Sequence, residues 1–118
     1  MNNIKKKKKI NIGWIGSGFV GQVAHLNSFS TIPSVNIIGL AELREDLRKK
    51  VSSKFNINET FKNHKELLEY GNFDAVVAVV RRHHTASIAE DVLLSKNNLF
   101  TEKPMASTFL QCKKLVNI

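Results

Sequence analysis

A glycine-rich run stands where an apolar stretch gives way to a helix-forming segment. Residues 10–15 are largely apolar, and the next six positions are Gly16, Ser17, Gly18, Phe19, Val20 and Gly21. In this G-x-G-x-x-G pattern the first glycine permits a tight turn and the second lets a pyrophosphate approach the backbone. The third lets the helix pack against the strand, and unpaired N–H groups at the helix start attract phosphate. The run therefore predicts a dinucleotide-binding loop.

An acid follows at the distance that this chemistry requires. Glu42 ends a second apolar stretch, about twenty residues after Gly21. A carboxylate there accepts hydrogen bonds from the adenosine ribose hydroxyls and repels a 2′-phosphate, which favours NAD over NADP. Arg44 could instead pair with a 2′-phosphate, so NADP stays open as the less favoured cofactor. The alternative is a glycine-rich turn that binds no ligand, with Glu42 merely ending a strand.

Composition sets the class of protein. The chain has 118 residues, a formal net charge of +8 and 42% hydrophobic residues, as expected of one soluble domain with a core. Lys5 to Lys9 carry five of the eight charges, so residues 1–9 are predicted to be a flexible basic tail. The tail lacks the interleaved aromatic residues that single-stranded nucleic acid requires. No stretch has membrane-spanning length and no signal peptide is evident, so we expect a cytoplasmic protein without a membrane partner.

Strand and helix signals alternate along the chain. Apolar runs predict strands over residues 10–15, 35–41, 74–80 and 99–101, with at most a short strand within 56–61. This order predicts an α/β protein, a Rossmann-type doubly wound parallel sheet in a three-layer α/β/α arrangement of about five strands. Such sheets bind ligands at the carboxyl ends of the strands. The residues expected at these ends are Gly16, Glu42, Arg81 and Lys103.

The helices between these strands carry their own signals. The first is expected over residues 19–29, and Asn63 is expected to cap the third. Ser107 or Thr108 should start the fifth. Two apolar stripes should face the sheet, one in the second helix and one in the fifth: Leu43, Leu47 and Val51, and Phe109, Cys112 and Val116.

Glu102-Lys103-Pro104 directly follows the fifth predicted strand. Together with the glycine run and Glu42, this segment resembles the glucose-fructose oxidoreductase / inositol dehydrogenase (Gfo/Idh/MocA) family over residues 10–118. The resemblance implies that Lys103 lies near the nicotinamide and the substrate, where its ammonium can stabilise negative charge as hydride leaves a carbon. It implies that Glu102 contacts the nicotinamide-side ribose. Pro104 would fix the backbone after the lysine.

The segment after the fourth strand departs from the family pattern. Many members have a small residue and a proline there, then a histidine that starts the next helix. Here Arg81 takes the proline position and Thr85 the histidine position, while His83 and His84 come early. Val80 and Arg81 are expected to line the cofactor site, with solvated loop charges as the alternative. Adjacent histidines rarely bind one ion, so no metal site is predicted.

The family's enzymes also carry a second domain that forms the substrate pocket and supplies acid/base residues. We therefore expect residues 10–118 to be the dinucleotide-binding domain of an oxidoreductase acting on a sugar, polyol or related hydroxyl compound. This chain should lack the substrate domain and should not turn over substrate alone, as a truncated gene product or a cloned domain would. Subunit contacts in that family largely use the second domain, so a homo-oligomer is left open.

Two other functions stay open from the residues. One is a non-catalytic nucleotide-binding module, or a subunit that needs a partner chain. The other is a nucleic-acid-associated protein that uses the basic tail, the less favoured of the two.

Overall fold

Parallel strands build the centre of the molecule, as the alternating signals predict. The computed structural model describes residues 8–18 and 21–118, with backbone alone for residues 21–23. Its strands are β1 Ile10–Ile15, β2 Val35–Ala41, β3 Glu59–Phe61, β4 Ala75–Ala78 and β5 Asn98–Thr101. In the described part of the chain these five form one sheet in the order β3-β2-β1-β4-β5. All neighbouring strands are parallel. The first three strands are added outward from β1 on one side, and β4 and β5 are added on its other side, so the predicted doubly wound topology is confirmed.

Helices follow the strands. A π-helical stretch, Gly21–Leu26, runs without a break into a short α-helix over Asn27–Ser30. Asn63 caps the third α-helix as predicted, because its side chain accepts a hydrogen bond from the Glu66 backbone N–H at 2.9 Å. Thr108 caps the last one in a capping box with Gln111. The α-helices are α1 Asn27–Ser30, α2 Glu45–Lys54, α3 His64–Tyr70, α4 Arg82–Leu94 and α5 Phe109–Val116.

Two of the predicted apolar stripes are wrong in part. Leu43 is exposed and precedes α2, because the chain is still extended at Arg44 and the helix begins only at Glu45. In α5 the residue that is buried is Leu115, whereas Phe109 and Val116 are exposed.

Two clusters of the core lie on opposite faces of the sheet, and a small third cluster lies between α4 and α5. Alternate residues of β1 point to opposite faces: Trp14 packs beside α1 and α2, and Ile15 beside α3 and α4. Each of the first two clusters contains fully buried side chains, Leu26 and Val51 in the first and Leu67 in the second. The three-layer arrangement is therefore confirmed. No helix in the described ranges is long and apolar enough to cross a bilayer.

Candidate functional site

The turn after β1 requires glycine at its first position. Gly16 has φ +89°, and a Cβ there would lie 2.3 Å from the Val79 carbonyl oxygen. Its N–H donates to the Ala41 carbonyl at 2.9 Å, and its carbonyl accepts from Trp14 Nε1 at 2.9 Å. The turn is thus held between the carboxyl ends of β2 and β4. Both the backbone conformation and the close approach exclude a side chain.

The second glycine is different. A Cβ at Gly18 would meet only Arg44 Nη2, at 3.9 Å, which is an ordinary contact distance. Its φ also lies outside the left-handed region. The described protein contacts therefore give no reason for glycine at this position, whereas a ligand approaching the backbone does. Phe19 and Val20 lie outside the described residues, and Gly21 is where the helical stretch begins.

Glu42 lies at the carboxyl end of β2, and its carboxylate is surrounded by the protein's own donors. Ser17 donates its backbone N–H and its hydroxyl to Oε1, at 3.0 and 2.8 Å. Arg44 donates Nη2 to Oε1 at 3.2 Å, and its backbone N–H and Nε to Oε2 at 3.0 and 3.1 Å. The Glu42 side chain is 4% exposed and that of Arg44 is 61% exposed. The sequence predicts the position of Glu42 but not that its acceptor sites are filled.

This network shifts the ionisation of Glu42. Burial alone would raise the pKa of the carboxyl, but hydrogen bonds from Arg44 and Ser17 outweigh it and lower the pKa from 4.5 to about 2. The bond to Glu42 likewise raises the pKa of the Arg44 guanidinium. At neutral pH the carboxyl end of β2 therefore presents an ionised carboxylate whose exposed side carries a guanidinium.

The pKa of Glu42 predicts an acid-dependent loss of stability. Because the folded-state pKa is lowered, the stabilisation is fully present above pH 4.5 and is lost as the pH falls towards 2. This pKa shift corresponds to a contribution of about 3 kcal/mol to the free energy of unfolding at neutral pH. We expect Glu42→Gln to be less stable than the unmodified chain at pH 7, and the difference to narrow between pH 4.5 and 2. Urea denaturation across this range measures it.

Glu45→Gln is the matched control for that titration. Glu45 is an exposed acid whose pKa is lowered mainly by the hydrogen bond to Lys49. Solvent screens such a pair, so its removal should change stability little at any pH. If the stability difference between Glu42→Gln and the unmodified chain did not change with pH, the hydrogen-bond network assigned to Glu42 would be contradicted.

The segment after β4 reaches the same edge of the sheet. Val80 Cγ1 would lie 3.0 Å from a Cβ at Gly16, so Val80 borders the glycine turn. Arg81 precedes α4 and is exposed, as are the next three residues. Thr85, at the family's histidine position, is buried, and its hydroxyl donates to the Arg81 carbonyl at 3.4 Å. The histidine rings of residues 83 and 84 contact each other, with centroids 4.1 Å apart.

The segment after β5 brings in a residue that the sequence analysis missed. His25 Nε2 lies 2.8 Å from Glu102 Oε1, and this contact lowers the pKa of the Glu102 carboxyl. Lys103 is exposed beside it, and the Lys103–Pro104 peptide bond is cis. His25 comes one helical turn after Gly21, so a search for polar side chains one turn into the first helix could have found it.

His25 also ends a series of edge-to-face ring contacts, which we call the aromatic ladder. The ladder consists of Trp14, Phe29, Phe100 and His25, and its successive ring centroids lie 5.4, 5.5 and 5.5 Å apart. Because Trp14 donates to the Gly16 carbonyl, the ladder runs from the glycine turn to Glu102. It crosses from the end of β1 to the end of β5 by way of the first helical segment.

These residues share one edge of the sheet. Gly16, Glu42, Val80 and Glu102 follow β1, β2, β4 and β5, four parallel strands that are neighbours in the sheet. The edge combines a glycine turn, an ionised carboxylate, an arginine and an exposed lysine. Such an arrangement can hold an anionic, hydroxyl-bearing ligand across the strand ends.

Comparisons with known proteins agree with this geometry. The sequence model of the Gfo/Idh/MocA family, described as an oxidoreductase family with an NAD-binding Rossmann fold, matches residues 10–118. A myo-inositol 2-dehydrogenase from Thermotoga maritima is 23% identical over 91% of this chain and 32% of its own length. An inositol 2-dehydrogenase/D-chiro-inositol 3-dehydrogenase from Shouchella clausii is 28% identical, over 91% of this chain and 31% of its own. The chain thus spans about a third of these curated relatives.

Solved structures share the fold. Apo scyllo-inositol dehydrogenase from Lactobacillus casei superposes with a TM-score of 0.88, at 19% identity over 96% of this chain and 33% of its own. A 3-ketoreductase from Actinomadura kijaniata, solved with TDP-benzene and NADP, gives a TM-score of 0.86 at 22% identity. That match covers 93% of this chain and 34% of the ketoreductase.

Proposed function

The chain belongs to the Gfo/Idh/MocA oxidoreductase family and contains its nucleotide-binding Rossmann domain, and on that premise we propose that residues 10–118 bind NAD. In the whole protein, this domain serves hydride transfer between the nicotinamide and a sugar, polyol or related hydroxyl compound. The observation that carries the proposal is the contrast between two glycines. Gly16 is required by the fold, whereas Gly18 is explained by a ligand that must approach the backbone.

Different residues at the carboxyl edge are proposed to contact different parts of the cofactor. The pyrophosphate lies against the backbone from Gly16 to Gly21, including Ser17, Phe19 and Val20, beside the start of the helical stretch. Glu42 and Arg44 take the adenosine ribose. Val80 and Arg81 border the middle of the cofactor, and Glu102 takes the nicotinamide-side ribose.

Lys103 is the proposed catalytic residue. When bound, the nicotinamide supplies the hydride chemistry. The exposed ammonium of Lys103 hydrogen-bonds the reacting hydroxyl and stabilises the negative charge that develops on its oxygen. The two curated relatives named above are inositol dehydrogenases, so a cyclic polyol is the substrate we propose for the whole protein.

Cofactor choice depends on the Glu42–Arg44 pair. Ribose hydroxyls reach the carboxylate by displacing the Arg44 guanidinium, because the Ser17 bonds are buried and the guanidinium is 61% exposed. The carboxylate then repels a 2′-phosphate, and this supports NAD as the preferred cofactor. Arg44 works against that preference, because a guanidinium pairs with phosphate in a bidentate manner.

Arg44→Ala is therefore expected to raise the preference for NADH over NADPH by about 5–10-fold, the usual size of one exposed charge-assisted contact. Competitive titration with both cofactors measures the ratio. Arg48→Ala is the matched control, since Arg48 donates to the Glu42 backbone carbonyl, at 2.8 Å, and not to the carboxylate. An unchanged ratio in Arg44→Ala would remove this arginine from the ribose site.

The proposed function is tested by titrating the purified chain with NADH and with NADPH. Trp14 is the only tryptophan and its indole bonds the glycine turn, so its fluorescence reports ligand at that turn. We expect saturable NADH binding that is tighter than NADPH binding. A folded chain that binds neither cofactor would refute the proposal.

A further inference from the structure

We propose that His25 is a positioning residue that holds Glu102 and thereby couples the dinucleotide-binding helix to the Lys103 segment. This inference rests on the proposed function, because it assumes that Glu102 and Lys103 lie at the nicotinamide end of the cofactor. Glu102 and His25 are 77 positions apart in the chain, and the 2.8 Å contact between His25 Nε2 and Glu102 Oε1 joins the two segments directly.

The surroundings of His25 fix its ring. The side chain is 19% exposed, and its ring contacts Phe100, which contacts Phe29 in turn. Edge-to-face contacts of this kind restrict the ring plane as well as its position. In this position the Nε2 atom faces Glu102 Oε1, at 2.8 Å.

The effect of His25 passes through Glu102 to Lys103. The Glu102 side chain is 38% exposed, and Glu102 directly precedes Lys103 in the chain. Because the two residues are adjacent, holding the Glu102 side chain restricts the backbone conformation at Lys103, the residue proposed to contact the reacting hydroxyl. Loss of the bond from His25 leaves the carboxylate free to turn towards solvent. The cofactor's nicotinamide end should then lose ordered contacts while its adenosine end keeps them.

A second histidine–carboxylate pair provides an internal control. His64 Nε2 lies 2.7 Å from Asp91 Oδ2, and the two side chains are 17% and 39% exposed. The distance and the exposure nearly equal those of the His25–Glu102 pair. The His64 pair links α3 to α4, however, and neither residue is among those assigned to the cofactor. Any effect that follows only from losing such a pair should appear equally at both places.

The test compares two ligands on three variants. His25→Phe keeps an aromatic ring for Phe100 but removes the hydrogen bond, whereas His25→Gln keeps a donor near the Nε2 position. We expect His25→Phe to weaken NADH binding by about 5–10-fold and to leave ADP binding unchanged, because ADP lacks the nicotinamide half. We expect His25→Gln to recover NADH affinity to within about 2-fold and His64→Phe to bind both ligands normally.

A double variant checks the route through Glu102. In a Glu102→Ala background, adding His25→Phe should cause no further loss of NADH affinity, since the two changes remove one interaction. An additional loss would overturn the inference, as would equal losses of NADH and ADP or unchanged NADH binding in His25→Phe. If the unmodified folded chain binds neither ligand, the proposed function fails and this inference fails with it. If the unmodified chain binds NADH and His25→Phe binds it equally well, the proposed function stands and this inference alone is wrong.

Discussion

Gly16→Ala is expected to destabilise the domain by about 3 kcal/mol or more, a large part of the stability of a typical domain. Two costs add at this position. The residue has φ +89°, which costs an alanine about 1–3 kcal/mol. The new Cβ would also lie 2.3 Å from the Val79 carbonyl oxygen, so β4 must move away from the turn. Urea denaturation followed by Trp14 fluorescence gives the free energy of unfolding.

Gly71→Ala separates these two costs. Gly71 also has a positive φ, +71°, but a Cβ there would meet nothing nearer than the Leu68 carbonyl at 3.9 Å. Its substitution should therefore carry the conformational cost alone, about 1–3 kcal/mol. If Gly16→Ala were no more destabilising than Gly71→Ala, the contact between the turn and β4 would not be rigid.

Gly18→Val is expected to lower NADH affinity by about 100-fold or more while the chain stays folded. The side chain would occupy the space through which the pyrophosphate reaches the backbone. Among the described residues a Cβ at this position meets only Arg44 Nη2, at 3.9 Å, so we expect the free energy of unfolding to change by less than about 1 kcal/mol. Titration with NADH and urea denaturation of the same preparation measure both quantities.

Gly18→Ala provides a graded comparison, because its single methyl group should cause a smaller loss of affinity than the valine. The phosphate-loop assignment would be refuted if Gly18→Val bound NADH as tightly as the unmodified chain. Together, the two glycines predict opposite results: one substitution removes stability, and the other removes binding.

Apolar runs and helix-capping residues in the sequence were sufficient to predict much of the secondary structure. The limits predicted for β1 and β2 are those observed, because each strand is a nearly continuous apolar run. Asn63 was predictable as a cap, since its side chain needs only the backbone three residues ahead. Leu43 was misplaced because the extended backbone at Arg44 delays the helix, and residue spacing carries no signal of that delay.

The candidate site was only partly predictable. The glycine run and Glu42 follow strand ends, so their placement at one edge follows from a parallel sheet. The five hydrogen bonds at Glu42 depend on Ser17 and on the direction of the Arg44 side chain, and neither has a signature in the sequence. The position of His25 one turn after Gly21 could have marked it as a candidate, but its partner could not be predicted, because Glu102 is 77 positions away and only the tertiary fold brings the two together.

The contrast between the two glycines also has an evolutionary consequence. Selection for a folded chain is enough to retain Gly16, whatever the protein binds, because any side chain there would clash with the Val79 carbonyl directly after β4. The described contacts give no such reason at Gly18, so a lineage that had lost its ligand would be free to replace it. Among the natural descendants of this gene, a glycine at residue 18 should therefore indicate that the ancestral ligand is still bound. A glycine at residue 16 should be present whether or not that ligand is bound.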